Sequence, residues 1–414
     1  METSLILIII GLFIFWGHYL SGFFERRNIP DVLGLMLTGI LLGPVFHIAE
    51  RASFGQFGSL FSNLVLIFIL FESGTDLKIS EVKDSFRDSA GITTFGFLST
   101  WITTALLCKV IFGLSILSSL FIGATLGGTS SAVVVGLVRK INVMPKTMTT
   151  LIIESAESDI FTLAIPLGIL GLMLTGEIEA GPVVSQFVAS LILALFIGIF
   201  GAFLWSFILG KFPTLKSTRF ATPAFLFILY GITEYLRYSG PLTALSFGVA
   251  IGNIKYFEPR LLAHIIPDHA IVLHQREKEF FSQIVFLLRT FFFVFIGISV
   301  QIERLDWLAW GAAITLVLSA VRLVLVRFVF SRSTPVLDKA VISTMIPKGL
   351  GAAVIATLPL RNEHSDGLII QSICFSVILF STVYCAGLFF LLKTGITMPI
   401  YAVLFGQRIE PDDG

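Results

Sequence analysis

Apolar runs of bilayer length recur along the whole chain, separated by short polar stretches. A helix needs about 20 mainly apolar residues to cross a membrane. Such runs fall at roughly 4–22, 31–49, 57–73, 89–113, 115–138, 146–175, 181–208, 218–238, 241–255, 278–301, 305–331, 337–360 and 367–393. They predict an all-α polytopic membrane protein of about thirteen transmembrane helices. The fourth and fifth runs are joined by a very short turn, and the ninth is short. Residues 1–393 read as one transmembrane unit and 394–414 as a short cytoplasmic tail.

The basic residues set the orientation. With the N-terminus outside and the spans alternating, twenty of the 28 Lys and Arg residues fall at inside ends and five at outside ends. The other three, Arg289, Arg322 and Lys348, fall within spans. Positive charge collects on the cytoplasmic side of membrane proteins, so the C-terminus is expected inside, in an integral protein of the cell (inner) membrane. Arg26 and Arg27 after the first run suit a retained signal anchor. The polar stretch 256–280, with His264, His269 and His274, reads as a cytoplasmic loop or an interfacial helix joining the halves.

Composition agrees. The chain is 55% hydrophobic and 13% charged, against about a quarter charged in soluble domains. A net charge of +1 gives no basis for nucleic-acid binding. Cys108, Cys374 and Cys385 lie in apolar segments without metal spacing or a disulfide framework. No nucleophile elbow, phosphate loop or zinc-ligand spacing points to an enzyme, and no cofactor is called for.

Three pairs of features recur seven spans apart. Gly39-x-x-x-Gly43 in the second run matches Gly248-x-x-x-Gly252 in the ninth. The break at Gly127, Gly128, Thr129, Ser130 and Ser131 matches the break at Ile346, Pro347, Lys348 and Gly349. Glu72 in the third run matches Arg289 in the tenth. An odd offset reverses topology, so the pattern predicts an inverted six-helix repeat with two broken crossing helices. The copies span about 4–175 and 218–393, joined by a connector helix at 181–208. Paired interrupted helices point to a transporter site, because backbone freed at membrane depth must be satisfied by protein or by a water-filled cavity.

The acidic segment Glu154-Ser-Ala-Glu-Ser-Asp159 lies within an apolar run. Ionisable groups at that depth are costly and mark ion or proton pathways. Asp159 is the candidate carrier. Burial favours its protonated form and a bound cation the ionised form, so one group can exchange the two. Ser158 adjoins it, and Ser155 and Thr162 share its helical face. With Thr129 and Ser130 at the break they offer hard oxygen donors for a transported monovalent cation. Glu154 points about 140° away from Asp159 and is displaced by about 7.5 Å along the axis. It is expected instead to form a structural bridge to Lys348 or Arg289. Glu157 receives no role.

These residues carry a resemblance to the monovalent cation:proton antiporters, in particular the NhaP/NHE-like branch. The matching stretches are Ile29–Pro44, Leu70–Leu77, Gly128–Val134, Glu154-Ser155 with Asp159, Arg289–Gly297 and Pro347–Leu350. The resemblance implies exchange of Na⁺ or K⁺ for H⁺ at Asp159, a bridge from Glu154 to a late basic residue, a homodimer in the lipid bilayer and elevator-like alternating access. Three departures stand out. Ser158 takes the place of an Asn or Asp, Ser131 of a frequent Pro, and Lys348 of a frequent Arg. A single site carboxylate favours electroneutral exchange. A cation channel or a sodium-coupled solute symporter on a related fold is the alternative.

Overall fold

The computed structural model describes residues 3–26, 31–49, 64–75 except 66 and 73, 79–138, 141–175, 180–212, 220–253 except 237 and 239, 275–331 except 303, and 333–406. The histidine-bearing stretch 256–274 lies outside them. Among the described residues every regular element is a helix. The helices are α1 (Thr3–Arg26), α2 (Asp31–Ile40), α3 (Ile79–Phe112), α4 (Ile116–Thr125), α5 (Ser131–Val138), α6 (Pro145–Thr175), α7 (Ala180–Lys211) and α8 (Ala221–Tyr235). There follow α9 (Gly240–Gly252), α10 (Gln275–Ser299), α11 (Leu305–Val329), α12 (Val336–Thr344), α13 (Leu350–Arg361), α14 (Gly367–Lys393) and α15 (Met398–Phe405). A π-helical turn at Leu41–Val45, containing Pro44, extends α2.

Among the described residues, six segments are long and apolar enough to cross a bilayer: Gly91–Phe112, Pro145–Leu174, Ile192–Lys211, Glu279–Ser299, Leu305–Val329 and Gly367–Lys393. Their outward faces carry large apolar side chains such as Phe95, Ile102, Phe196 and Phe328. Soluble helices place polar residues there, whereas a lipid-facing helix need not. The fifth and twelfth apolar runs are not continuous helices. Each is two short ones, α4 and α5 or α12 and α13, with non-helical backbone between.

The chain divides into two compact units. One comprises residues 1–55, 85–173 and 290–414. Its core gathers Val134 and Leu137 of α5, Leu151 of α6, Val326 of α11, Val341 and Ile342 of α12, and Phe389 of α14. The short helix α15 closes one end of this core with Tyr401 and Phe405, and the Tyr401 hydroxyl lies 3.2 Å from Thr344 Oγ1 at the end of α12. In the same unit α2 crosses the end of α10 with its backbone almost touching. A Cβ on Gly39 would stand 2.1 Å from the Val294 carbonyl oxygen, and one on Gly297 would stand 2.2 Å from that of Met36.

The second unit comprises residues 56–84 and 174–289. Here α9 makes two close crossings. On α7, a Cβ at Gly198 would stand 1.9 Å from Ser246 Oγ, and Thr243 Oγ1 donates to the Ala194 carbonyl at 3.1 Å. On the segment 64–75, a Cβ at Gly248 would stand 2.3 Å from the Phe71 carbonyl oxygen and one at Gly252 would stand 2.6 Å from that of Thr75. Apolar surface gives no net drive between helices in lipid, so small residues that admit close backbone packing take over that role.

Candidate functional site

The site is built within the first unit, where the two interrupted segments meet. Helix α4 ends at Thr125 and α5 begins at Ser131. Gly127 and Gly128 weaken the helix between them, and the approach of α6 makes one of them obligatory. A Cβ at Gly128 would stand 2.3 Å from Thr162 Oγ1 and 2.7 Å from the Ser158 carbonyl oxygen. Between α12 and α13, Pro347 lacks an N–H and steers Ile346 away from helical angles. Gly349 then leads into α13 in extended conformation, and a Cβ there would stand 3.2 Å from that of Ser130.

Several of the freed backbone groups have partners at the crossing, as burial at this depth demands. Gly128 N–H donates to Thr162 Oγ1 at 3.0 Å, and Thr129 N–H to Ser158 Oγ at 3.1 Å. The breaks also hold one another directly. Ser130 N–H donates to the Pro347 carbonyl at 2.7 Å, and Lys348 Nζ donates to the Gly128 carbonyl at 3.0 Å. Lys348 N–H donates in turn to Ser381 Oγ on α14, at 3.1 Å. The structure thus brings Gly127, Gly128, Thr129, Ser130, Ser158, Pro347, Lys348 and Gly349 into one crossing.

The hydroxyls of α6 are largely engaged by backbone. Ser158 Oγ donates to the Ser155 carbonyl at 3.1 Å while accepting from Thr129 N–H, and it lies 3.4 Å from Thr129 Oγ1. Ser155 is fully buried, and its hydroxyl donates to the Ile152 carbonyl at 2.9 Å. Asp159 follows Ser158 on the same helix and is half-buried, whereas Glu154, Ser155, Glu157 and Ser158 are buried. The carboxylate next to the crossing is therefore the one of the three acids with partial access.

Glu154 turns to a different cation than the two expected. Arg322 on α11 takes both of its carboxylate oxygens, Nη1 bonding Oε1 and Nη2 bonding Oε2 at 2.7 Å. Arg322 Nε donates to the Ile342 carbonyl at 3.1 Å, which ties the pair to α12. The expected bridge to Lys348 or Arg289 is thereby corrected. A planar guanidinium matches both carboxylate oxygens at once, which the single ammonium of Lys348 cannot do. Lys348 spends its charge on the crossing, and Arg289 belongs to the second unit, with its guanidinium 5.7 Å from the Phe286 ring centroid. Gly96 of α3 makes room for the pair, since a Cβ there would stand 3.1 Å from Arg322 Nη1.

Sequence reasoning missed Arg322, although the signal was present. It is an arginine deep in an otherwise apolar run, the same anomaly that marked Asp159. It also missed Thr93, whose hydroxyl donates to Glu157 Oε2 at 2.8 Å.

The packing at Gly128 carries a prediction. Gly128→Ala should cost about 1–3 kcal/mol, the usual range for overpacking, because its new methyl meets backbone that cannot turn away. Gly231→Ala on α8, where a Cβ meets nothing within 4 Å, should be close to neutral. Thermal unfolding of the purified variants in detergent checks the contrast, and equal midpoints would contradict it.

Apolar helices of membrane length, with two interrupted helices crossing beside a half-buried aspartate, define an integral membrane protein. The family described as sodium/hydrogen exchanger, transmembrane, matches residues 8–394, and the chain belongs to that family. It is 27% identical over 245 residues to the K⁺/H⁺ antiporter NhaP2 of Shewanella sp. strain MR-4, covering 56% of this chain and 41% of that protein. The chain thus spans about two fifths of that relative's length. A probable Na⁺/H⁺ antiporter 2 of Methanocaldococcus jannaschii is 21% identical over 363 residues, covering 83% of this chain and 81% of that protein. Among solved structures, the sodium proton antiporter MjNhaP1 of Methanocaldococcus jannaschii, at pH 8, superposes with a TM-score of 0.75 at 18% identity. That likeness covers 98% of this chain and 100% of the other, and it concerns the fold.

Proposed function

We propose that this protein is a secondary antiporter that exchanges Na⁺ or K⁺ for H⁺ by alternating access. The observation that carries the reading is the crossing of the two interrupted helices, held backbone to backbone and by Lys348, beside the half-buried Asp159. Family membership and the antiporter names of its relatives support it. Asp159 holds either the proton or the cation. Oxygens of Ser155, Ser158, Thr129 and Ser130 replace the water that a cation sheds on entry. The Glu154–Arg322 pair neutralises its own charge and stays out of the exchange.

The pair of glycine crossings supports an inverted repeat of about thirteen spans. The second run packs on the tenth, and the ninth packs on the third, which is the exchange of partners that two inverted copies require. The remaining assignments follow the same reading: copies at about 4–175 and 218–393, a connector at 181–208, a homodimer in the inner membrane and a cytoplasmic C-terminus.

Proteoliposomes test the function. Addition of Na⁺ or K⁺ should dissipate an imposed pH gradient in one panel run at several pH values. Current without obligatory proton movement would replace the antiporter with a channel, and solute-dependent uptake would replace it with a symporter. With one exchanging carboxylate the turnover is electroneutral, so an imposed membrane potential should leave the rate unchanged. A clear dependence on potential would overturn the one-for-one stoichiometry.

A further inference from the structure

Glu157 is the acid that the exchange does not use, and its surroundings are unusual for a carboxylate. It is 6% exposed on α6. Its Oε2 accepts from Thr93 Oγ1 at 2.8 Å. Its Oε1 is buried and has no hydrogen-bond partner among the described residues. Ionised carboxylates at this depth are ordinarily paired with a cation or ringed by donors.

Among the described residues, the charged groups around it provide neither. On its own helix Glu154 stands one turn earlier, and both of its oxygens are held by Arg322 of α11. The same guanidinium donates its Nε–H to the Ile342 carbonyl, and no bond from it to Glu157 is formed among the described residues. Asp159 lies two residues on and so points about 200° around the helix from Glu157. From the crossing, Lys348 directs its ammonium to the Gly128 carbonyl. On α3, the turns around Thr93 from Gly91 to Phe97 contain no ionisable side chain. An ionised Glu157 would place a second negative charge one turn from Glu154, with one hydroxyl to stabilise it. A neutral carboxylic acid leaves an unpaired hydroxyl instead, a far smaller penalty than an unpaired buried anion.

We propose that Glu157 is a second proton-binding site of this protein, occupied by a proton while α6 packs against α3 at Thr93 and separate from the exchanging carboxylate at Asp159. The proton leaves when water reaches Oε1, and ionisation then opposes the return of Glu157 to its packed position. Proton occupancy at Glu157 thereby sets the alkaline limit of turnover without adding to the exchanged charge. The site itself is independent of the antiport reading; only its effect on turnover rests on that reading.

Two measurements test it. Infrared spectroscopy of the purified wild-type protein at neutral pH should show a carboxylic-acid C=O band that Glu157→Gln removes. Thr93→Val should move that band to higher frequency by removing the hydroxyl that bonds Oε2, so the test survives if the Gln variant folds poorly. In proteoliposomes, Glu157→Gln keeps exchanging but should extend activity about one pH unit or more to the alkaline side, since Gln cannot ionise. A band that neither substitution changes means an ionised carboxylate and overturns the proposal, whether or not the vesicles exchange cations. A pH profile identical to wild type in an exchanging Glu157→Gln variant overturns its role in turnover. A wild type with the band but without any cation-dependent proton flux counts against the antiport reading alone.

Discussion

Replacing Asp159 by asparagine should yield a folded protein in which cation-driven proton flux falls to the background of empty vesicles. Asparagine keeps the size of the side chain and one carbonyl oxygen, but it takes up no proton in this pH range and offers no charge to a bare cation. Both halves of the exchange therefore fail together. The fold should survive because the crossing is held by other groups. Thr162, Ser158 and Lys348 satisfy the broken backbone, and Ser130 bonds Pro347 across it. The unfolding midpoint is thus expected to stay near wild type while transport is lost. Full exchange activity in Asp159→Asn would sink the proposed mechanism, and a collapsed midpoint would make the residue structural.

The second large effect is expected at the Glu154–Arg322 pair. Both residues are nearly inaccessible, at 3% and 6% exposure. Breaking a buried pair by removing one partner typically costs about 3–5 kcal/mol, because the other charge is left without compensation. Glu154→Gln and Arg322→Met should each fall in that range in equilibrium unfolding. The double variant leaves no orphaned charge, so its loss should be smaller than the sum of the two single losses, by about 0.5–3 kcal/mol, as for contacting residues. Arg322→Lys should not rescue, since one ammonium cannot bond both carboxylate oxygens and the Ile342 carbonyl together. Strict additivity would mean that the pair is not coupled.

These expectations show what local pattern can encode. The interruptions at Gly127–Gly128 and Pro347–Gly349 were legible because glycine and proline act on their own backbone and nearest neighbours. The exposure of Asp159 relative to Glu154 and Glu157 was not legible, because it depends on which faces of α6 are covered by α3, α4–α5 and α11. Lys348 was readable as a charge at a break. Its partner, the Gly128 carbonyl, is 220 residues away. Ser158 illustrates the limit best. As a sequence position it is a hydroxyl beside an acid, suited to a cation. In the fold that hydroxyl also accepts the Thr129 N–H and so holds the first break open.

By itself the sequence determined the all-helical membrane class, the two helix breaks at Gly127–Gly128 and Pro347–Gly349, and the acidic segment where exchange is proposed. Hydropathy, helix propensity and the cost of burying charge all act over a few residues and leave their mark on the chain. Only the tertiary structure decided that Arg322 and not Lys348 or Arg289 answers Glu154, and that Thr93 alone bonds Glu157 among the described residues. Ion pairing inside a membrane is selected by which helices lie side by side and by the match of a guanidinium fork to a carboxylate, and neither is written in the residues that flank either partner.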